Sequence, residues 1–454
     1  MSTESIDTRP RQGSLERFSL WMGRAVPDAI TASVIFLFVV AAAALAIGTP
    51  GTVVMDAYYR GLWMLLPFTM QMTLIILLGS ALSTAPLVRR IVGSAARVPT
   101  SAAGVVSAVV LFGAAVSYLH WGLGYALAPV IAVFFATEAE KKGVTVDFPF
   151  LLVAAYAGAS IWQFGLSASA PLLVATPGHF LEGSIGVIPL RNTIWSTAAL
   201  FHVVTFTLFC IVLSRWMMPR VPAPISHFPE SHKLAEETAP VAAPPTSASE
   251  RLERHRFMTL ALCAALAGWL IYHFVINGNS LDINSLNTTL LLATLLFHGN
   301  FKAFSGAVER AVVAAWPVII LYHLYAGVAG IIQFTPVGEN LAALAATVST
   351  AYTYPLLTTL AGAVIAIFVP SSGGQWAIQG FITSESAIAA GVSVERGLLA
   401  LSVGDQLGNL ISPFWYVVIA SIARIDFRRF FGYGLVFAAL WFVIGVVSFT
   451  FLPA

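Results

Sequence analysis

The chain reads as an all-α polytopic membrane protein of two inverted repeats, each with a re-entrant helical hairpin and a broken transmembrane helix. Three observations lead there: an apolar composition, a series of long apolar segments, and two apolar regions interrupted by glycine-containing polar stretches at matching positions. Of the 454 residues, 58% are hydrophobic and only 10% charged, where soluble domains carry roughly 25% charged residues. Such a chain cannot cover a water-facing surface, so most of its surface faces lipid.

A spanning helix needs about 20 mostly apolar residues. Candidates fall at 28–48, 62–82, 147–177, 193–216, 257–276, 284–298, 312–332, 397–423 and 431–452, with 147–177 and 397–423 interrupted. Two further apolar regions are bisected: 101–136 at "HWGLG" and 355–390 at "SSGGQW". Each half looks short for a full crossing, so both are read as re-entrant hairpins. The polar residues 1–27 lack the short apolar core of a secretory signal, which leaves the first span as the insertion signal.

Cytoplasmic loops are enriched in Lys and Arg. Basic residues cluster before the first span (Arg9, Arg11, Arg17, Arg24), after the second (Arg89, Arg90, Arg97), after the first hairpin (Lys141, Lys142), in the linker 217–256, at Lys302 and Arg310, and at Arg424, Arg428 and Arg429. Nine spans and two hairpins put all of these on one side, and the loops near Arg191 and Arg396 on the other. The N-terminus is then cytoplasmic and the C-terminus external, in a bacterial inner membrane. The linker centre, "EETAPVAAPPTSASE", has the composition of a flexible connector.

The order of segments repeats. Residues 28–216 read span, span, amphipathic stretch, hairpin, interrupted span, span; after a connecting span at 257–276, residues 277–454 read the same. One extra helix inverts the second half, and inverted repeats with broken helices are a signature of secondary transporters. The polar interruptions then have a reason, because irregular backbone is tolerated at membrane depth only where protein buries it or it lines a cavity. In "PSSGGQW" the glycines let backbone N–H groups approach a ligand. A helix starting after Gly374 would turn the positive end of its dipole there.

Four stretches are the candidate cradle. The first tip, "SYLHWGLGYAL", holds His120, Trp121 and Gly122; the second holds Ser371 and Ser372. The first interrupted span carries Ser167 and Ser169 ahead of Pro171, taken as its breaker, and the second carries Asp405, Asn409 and Ser412 ahead of Pro413. Proline frees the carbonyl four residues back. With Asn409 and Ser412, that carbonyl is a candidate Na⁺ site. Asp405 is an ionisable group within a span, which marks an ion or proton path. Cys210 and Cys263 lie far apart in apolar segments and suggest neither a disulfide nor a metal site. Glu138, His298, His323 and Glu385 are read as structural.

At "SSGGQWAIQG", "GLSASAPLLVATPGH" and "GDQLGNLISPFW" the chain resembles the bacterial short-chain fatty acid transporter family, the acetoacetate/butyrate type, within the ion transporter superfamily. "VPDAITASVIF" and "SLNTTLLLATLLFHG" extend the resemblance over nearly the whole chain, least in the linker. The resemblance implies two hairpins, a dimeric elevator-like arrangement, and a substrate site formed by Ser372, Gly373, Gly374, Gln375, Trp376, Gln379, Ser167, Ser169, Asp405 and Asn409. Where the family's first tip carries Asn this chain has His120, and where its first broken span carries His this chain has Gln163; both count among the substrate-binding candidates. Phe381 stands where a Pro follows the Gln-Gly.

The leading expectation is a carrier of small monocarboxylates such as butyrate or acetoacetate, coupled to H⁺ or Na⁺, with no other cofactor. A membrane lipid environment and a homodimer are its expected partners. The net charge of +2 gives no reason to invoke nucleic acid. A C4-dicarboxylate carrier is the alternative within transport, and a passive channel fits broken inverted helices less well. An intramembrane aspartyl protease would need a second membrane aspartate, and a serine type a Gly where "GLSA" ends in Ala168; neither is present. An enzyme is therefore not expected.

Overall fold

The computed structural model describes residues 27–236 and 247–453, and every regular element among them is helical. Arg9, Arg11, Arg17 and Arg24, and the middle of the linker, lie outside the described residues. The first half comprises α1 (Ala29–Ala46), α2 (Gly51–Met64), α3 (Leu66–Ser83), the amphipathic α4 (Pro86–Ala96), α5 (Ala102–Leu119), α6 (Trp121–Lys141), α7 (Phe148–Ala159), α8 (Ser169–Ala175) and α9 (Thr197–Trp216). The linker forms α10 (Pro229–Glu236) and the connecting span contains α11 (Arg256–Ile271). The second half comprises α12 (Ile283–His298), α13 (Phe301–Phe334), α14 (Pro336–Thr347), α15 (Tyr354–Ala366), α16 (Ser372–Ala389), α17 (Val394–Ile411), α18 (Phe414–Ala423) and α19 (Arg428–Phe451). Among the described residues, nine helices are long and apolar enough to cross a membrane, and α17 with α18, bent by 56°, forms a further broken pair.

The packing repeats as the order does. The first arm of each bisected region lies along the broken span that follows it, α5 on α7 and α15 on α17. Glycines make this approach close. A side chain at Gly158 would strike the Val110 carbonyl, and one at Gly404 the Thr359 carbonyl. Each second arm touches the long helix and the amphipathic helix of its own half, α6 on α3 and α4, α16 on α13 and α14. The halves also trade contacts reciprocally: α1 lies on α13, and α12 lies on α3.

At the centre, α2 and α3 cross α13. A Cβ on Gly61 would come within 2.7 Å of Gly330 Cα, and one on Gly330 within 2.5 Å of Gly61 Cα. This is close helix approach through small residues, the usual means of packing where lipid gives no hydrophobic drive.

Three expectations are corrected. The arms of the first bisected region have 18 and 21 residues, about 27 and 31 Å at 1.5 Å per residue, so they are not short for a crossing. Only α15 is short, at 13 residues. The segments read at 62–82 and 312–332 extend to Gly51–Ser83 and Phe301–Phe334. Charges hid the extensions, among them Arg60, whose guanidinium lies 4.0 Å from the Phe334 ring centroid. Pro171 is not the breaker of the first broken span. It sits in the first turn of α8, where a missing N–H costs nothing, and the chain leaves the helical path at Gly165–Ala168 instead.

The basic loops gather at one end. Lys142 Nζ donates to the Pro99 carbonyl at 2.9 Å. The linker is docked there up to α10: Ala223 N donates to Asp147 Oδ2 at 2.9 Å, Ser231 Oγ to the Ala423 carbonyl at 2.5 Å, and Arg89 Nη2 to the Leu234 carbonyl at 3.3 Å. The flexible-connector reading concerns the centre of the linker, most of which lies outside the described residues. Arg396 donates to the Leu452 carbonyl at the end of α19.

Candidate functional site: a cavity between two tips and two broken spans

A cavity of about 360 Å³ lies where both tips and both broken spans meet. Trp121 and Gly122 open the first turn of α6, and Ser371 and Ser372 the start of α16; Trp162 and Ser169 come from the first broken span, Trp415 from the second, and Tyr322 from α13. None of the lining residues is charged. Its volume is at the small end for ligand sites, and its wall of apolar groups with a few hydroxyls has their usual make-up.

Both tips are built alike. His120 is the N-cap of α6, its Nδ1 accepting from Leu123 N at 2.9 Å. Ser371 is the N-cap of α16, its Oγ accepting from Gly374 N at 3.4 Å. Each side chain thereby satisfies an orphan donor of the first turn. The helix begins at Ser372 and not after Gly374, so the glycines serve packing: Cβ atoms there would strike Phe68 and Tyr322 at Gly373, and Tyr325 at Gly374. The first tip is further tied to its broken span by Trp121 N donating to Ser167 Oγ (2.8 Å) and Leu166 N to the Tyr118 carbonyl (2.7 Å).

Next to the cavity, the broken spans meet each other. After α7 the chain tightens into a 3₁₀ turn, Ser160–Phe164, a form that often marks a functional position within a helix. From this turn Gln163 Nε2 donates to Asp405 Oδ2. Asn409, one turn along α17 and so on the same face, donates to that oxygen at 3.2 Å. All three side chains are buried. Beside them, Trp162 Nε1 donates to Gln406 Oε1 and to Tyr125 Oη, both at 2.9 Å, and Gln406 Nε2 donates to Ser160 Oγ at 3.0 Å. The carbonyl freed by Pro413 accepts one hydrogen bond, from Tyr156 Oη to Asn409 O at 3.0 Å, and Tyr416 Oη donates to Leu410 O at 2.9 Å.

Of the residues singled out from sequence, Trp121, Gly122, Ser169, Ser371 and Ser372 line the cavity. Gln163, Asp405 and Asn409 form the adjoining buried cluster. His120 is wedged against Gly79, while Trp376 is fully buried against Gly380. Gln375 Nε2 donates to the Gly362 carbonyl and to Gln379 Oε1, both at 2.7 Å, pinning the second arm to the first. Gln379 lies on a separate space of about 240 Å³ between α14, α15 and α16. Ser412 Oγ accepts from Phe414 N at 3.3 Å. Sequence reading missed Tyr125, Tyr156, Trp162 and Gln406; a polar Gln beside Asp405, and a Trp beside Gln163, were the available signals. The four residues read as structural include His298, whose Nε2 meets the Ala81 carbonyl at 3.0 Å, and Glu138, paired with Lys141 at 2.8 Å.

Many apolar spans surrounding an uncharged cavity at helix breaks define a polytopic membrane transporter. The sequence model of the family described as "Short chain fatty acid transporter" matches residues 14–452. A protein of Escherichia coli strain K12 is 31% identical over 449 residues, covering 96% of this chain and 100% of that protein. One from Haemophilus influenzae strain Rd is 29% identical over 445 residues, covering 94% and 97%. Both carry the name "Putative short-chain fatty acid transporter". The YdaH transporter of Alcanivorax borkumensis shares the fold, with a TM-score of 0.55 at 16% identity over 93% of this chain and 97% of that one. The chain belongs to the short-chain fatty acid transporter family.

Proposed function

We propose that this protein is a secondary active carrier that moves small monocarboxylates such as butyrate or acetoacetate across the bacterial inner membrane, coupled to a cation gradient, by alternating access. The observation that carries the reading is the uncharged cavity between the two tips. A single carboxylate on a short apolar chain matches it. The first turns of α6 and α16 supply partial positive charge, and Trp121, Trp415 and Tyr322 supply apolar surface. A C4-dicarboxylate would bring a second charge into a space with no Arg or Lys on its wall, which disfavours that alternative. In this reading the recurring contacts of the two halves reflect an inverted repeat that gives alternating access to the cavity. The gathered basic loops face the cytoplasm, and the protein acts as a carrier and not as an enzyme.

The experiment is competition against labelled butyrate uptake by unlabelled acids. Butyrate and acetoacetate should compete strongly and succinate weakly; stronger competition by succinate would favour the dicarboxylate reading.

A further inference from the structure

The buried cluster at Asp405 has three oxygens without a hydrogen-bonding partner: Asp405 Oδ1, Gln163 Oε1 and Asn409 Oδ1. The last two belong to amides whose nitrogens already donate to Asp405 Oδ2, so both are held within a few ångströms of the carboxylate. Asp405 is 1% exposed, Gln163 and Asn409 are 0% exposed, and none of the ion pairs among the described residues includes Asp405. A charge so placed needs a compensating charge.

We propose that these three oxygens, contributed by both halves of the molecule, bind a dehydrated Na⁺ that drives transport; this deepens the carrier reading and rests on it. Two cations could neutralise Asp405, and the oxygens distinguish them. A proton on Oδ1 makes one donor, which satisfies at most one of the two amide oxygens and leaves the other unmet. A hard cation accepts all three oxygens at once, as oxygen-only sites do. Gln163 thereby moves from the substrate to the ion. This set differs from the Na⁺ set proposed from sequence, whose Ser412 Oγ and Asn409 carbonyl each already accept one hydrogen bond, from Phe414 N and Tyr156 Oη. Because Gln163 and Asp405 lie on different broken spans, an ion between them links the two halves. Its loss would release one from the other, the coupling that alternating access requires.

The test uses the purified full-length protein in detergent, without substrate, and follows its melting midpoint as NaCl replaces KCl at constant ionic strength. A ligand that binds only the folded state raises the midpoint in a concentration-dependent way. The expected result is a saturable rise with Na⁺ and none with K⁺. In Gln163→Leu, which keeps the carboxylate but loses one ligand, half-saturation should move to on the order of tenfold higher Na⁺; in Asp405→Asn the rise should vanish. Equal midpoints in Na⁺ and K⁺ for the unmodified protein, a measurement that needs no variant, would overturn the site. A Na⁺ response unchanged in both variants would do the same. Na⁺ stabilisation without butyrate uptake would support this site while removing the substrate reading. Butyrate uptake driven by pH alone, indifferent to Na⁺, would keep the substrate and overturn this inference.

Discussion

Gln163 donates its side-chain amide to the carboxylate of Asp405 across 242 residues of chain, joining the break of one broken span to the other. Each half supplies one member of the pair, so the charge state of Asp405 is felt by both. The substrate cavity is next door, reached through Trp162, which lines it and also donates to Gln406, the neighbour of Asp405.

Asp405→Asn preserves shape and an acceptor for both amides but removes the charge that a cation would neutralise. Gradient-driven uptake by the reconstituted variant should fall to the level of empty vesicles, while its elution profile stays that of a folded protein. Uptake at the unmodified level would remove Asp405 from the coupling path.

Trp415 forms part of the cavity wall, its ring 4.5 Å from that of Tyr125. Trp415→Ala should open room for longer chains. Each newly accommodated methylene is worth about 0.8 kcal/mol, roughly fourfold in affinity. Hexanoate, two methylenes longer, should therefore gain on butyrate by up to roughly fifteenfold as a competitor of uptake. An unchanged ranking of chain lengths would place the substrate elsewhere.

The crossing of α2 with α13 has no room for a side chain at Gly61. Gly61→Ala should destabilise the protein by about 1–3 kcal/mol, the usual cost of overpacking, and Gly61→Leu should prevent its accumulation. Both are read from the melting midpoint and the yield of purified protein; a midpoint for Gly61→Ala equal to the unmodified protein would contradict the close crossing.

Much of this fold was legible because lipid imposes simple rules. Length and hydropathy located the spans, and "HWGLG" and "SSGGQW" located the two tips, with His120 and Ser371 as their caps. The errors arose where a local signal competes with a distant one. Pro171 looked like a breaker, but Gly165 breaks the span because the Tyr118 main chain of the first tip lies against it. Gly373 and Gly374 looked like room for a ligand and are room for Phe68, Tyr322 and Tyr325. Gln163 looked like a substrate group and hydrogen-bonds to an aspartate 242 positions away. No local pattern encodes such a pairing.

The basic loops meet at one end of the structure, where Lys142 reaches the loop at Pro99 and the linker reaches Asp147 and Ala423. A reporter enzyme active only outside the cytoplasm should work when fused to the C-terminus and fail when inserted in the linker. The reverse pattern would invert the proposed orientation.

The most direct test is uptake of labelled butyrate and acetoacetate into proteoliposomes under an inward Na⁺ gradient or an inward H⁺ gradient, with empty liposomes to correct for protonated acid crossing lipid unaided. Saturable accumulation that requires the protein and the Na⁺ gradient is the predicted result. Uptake equal to that of empty liposomes under both gradients would contradict the account.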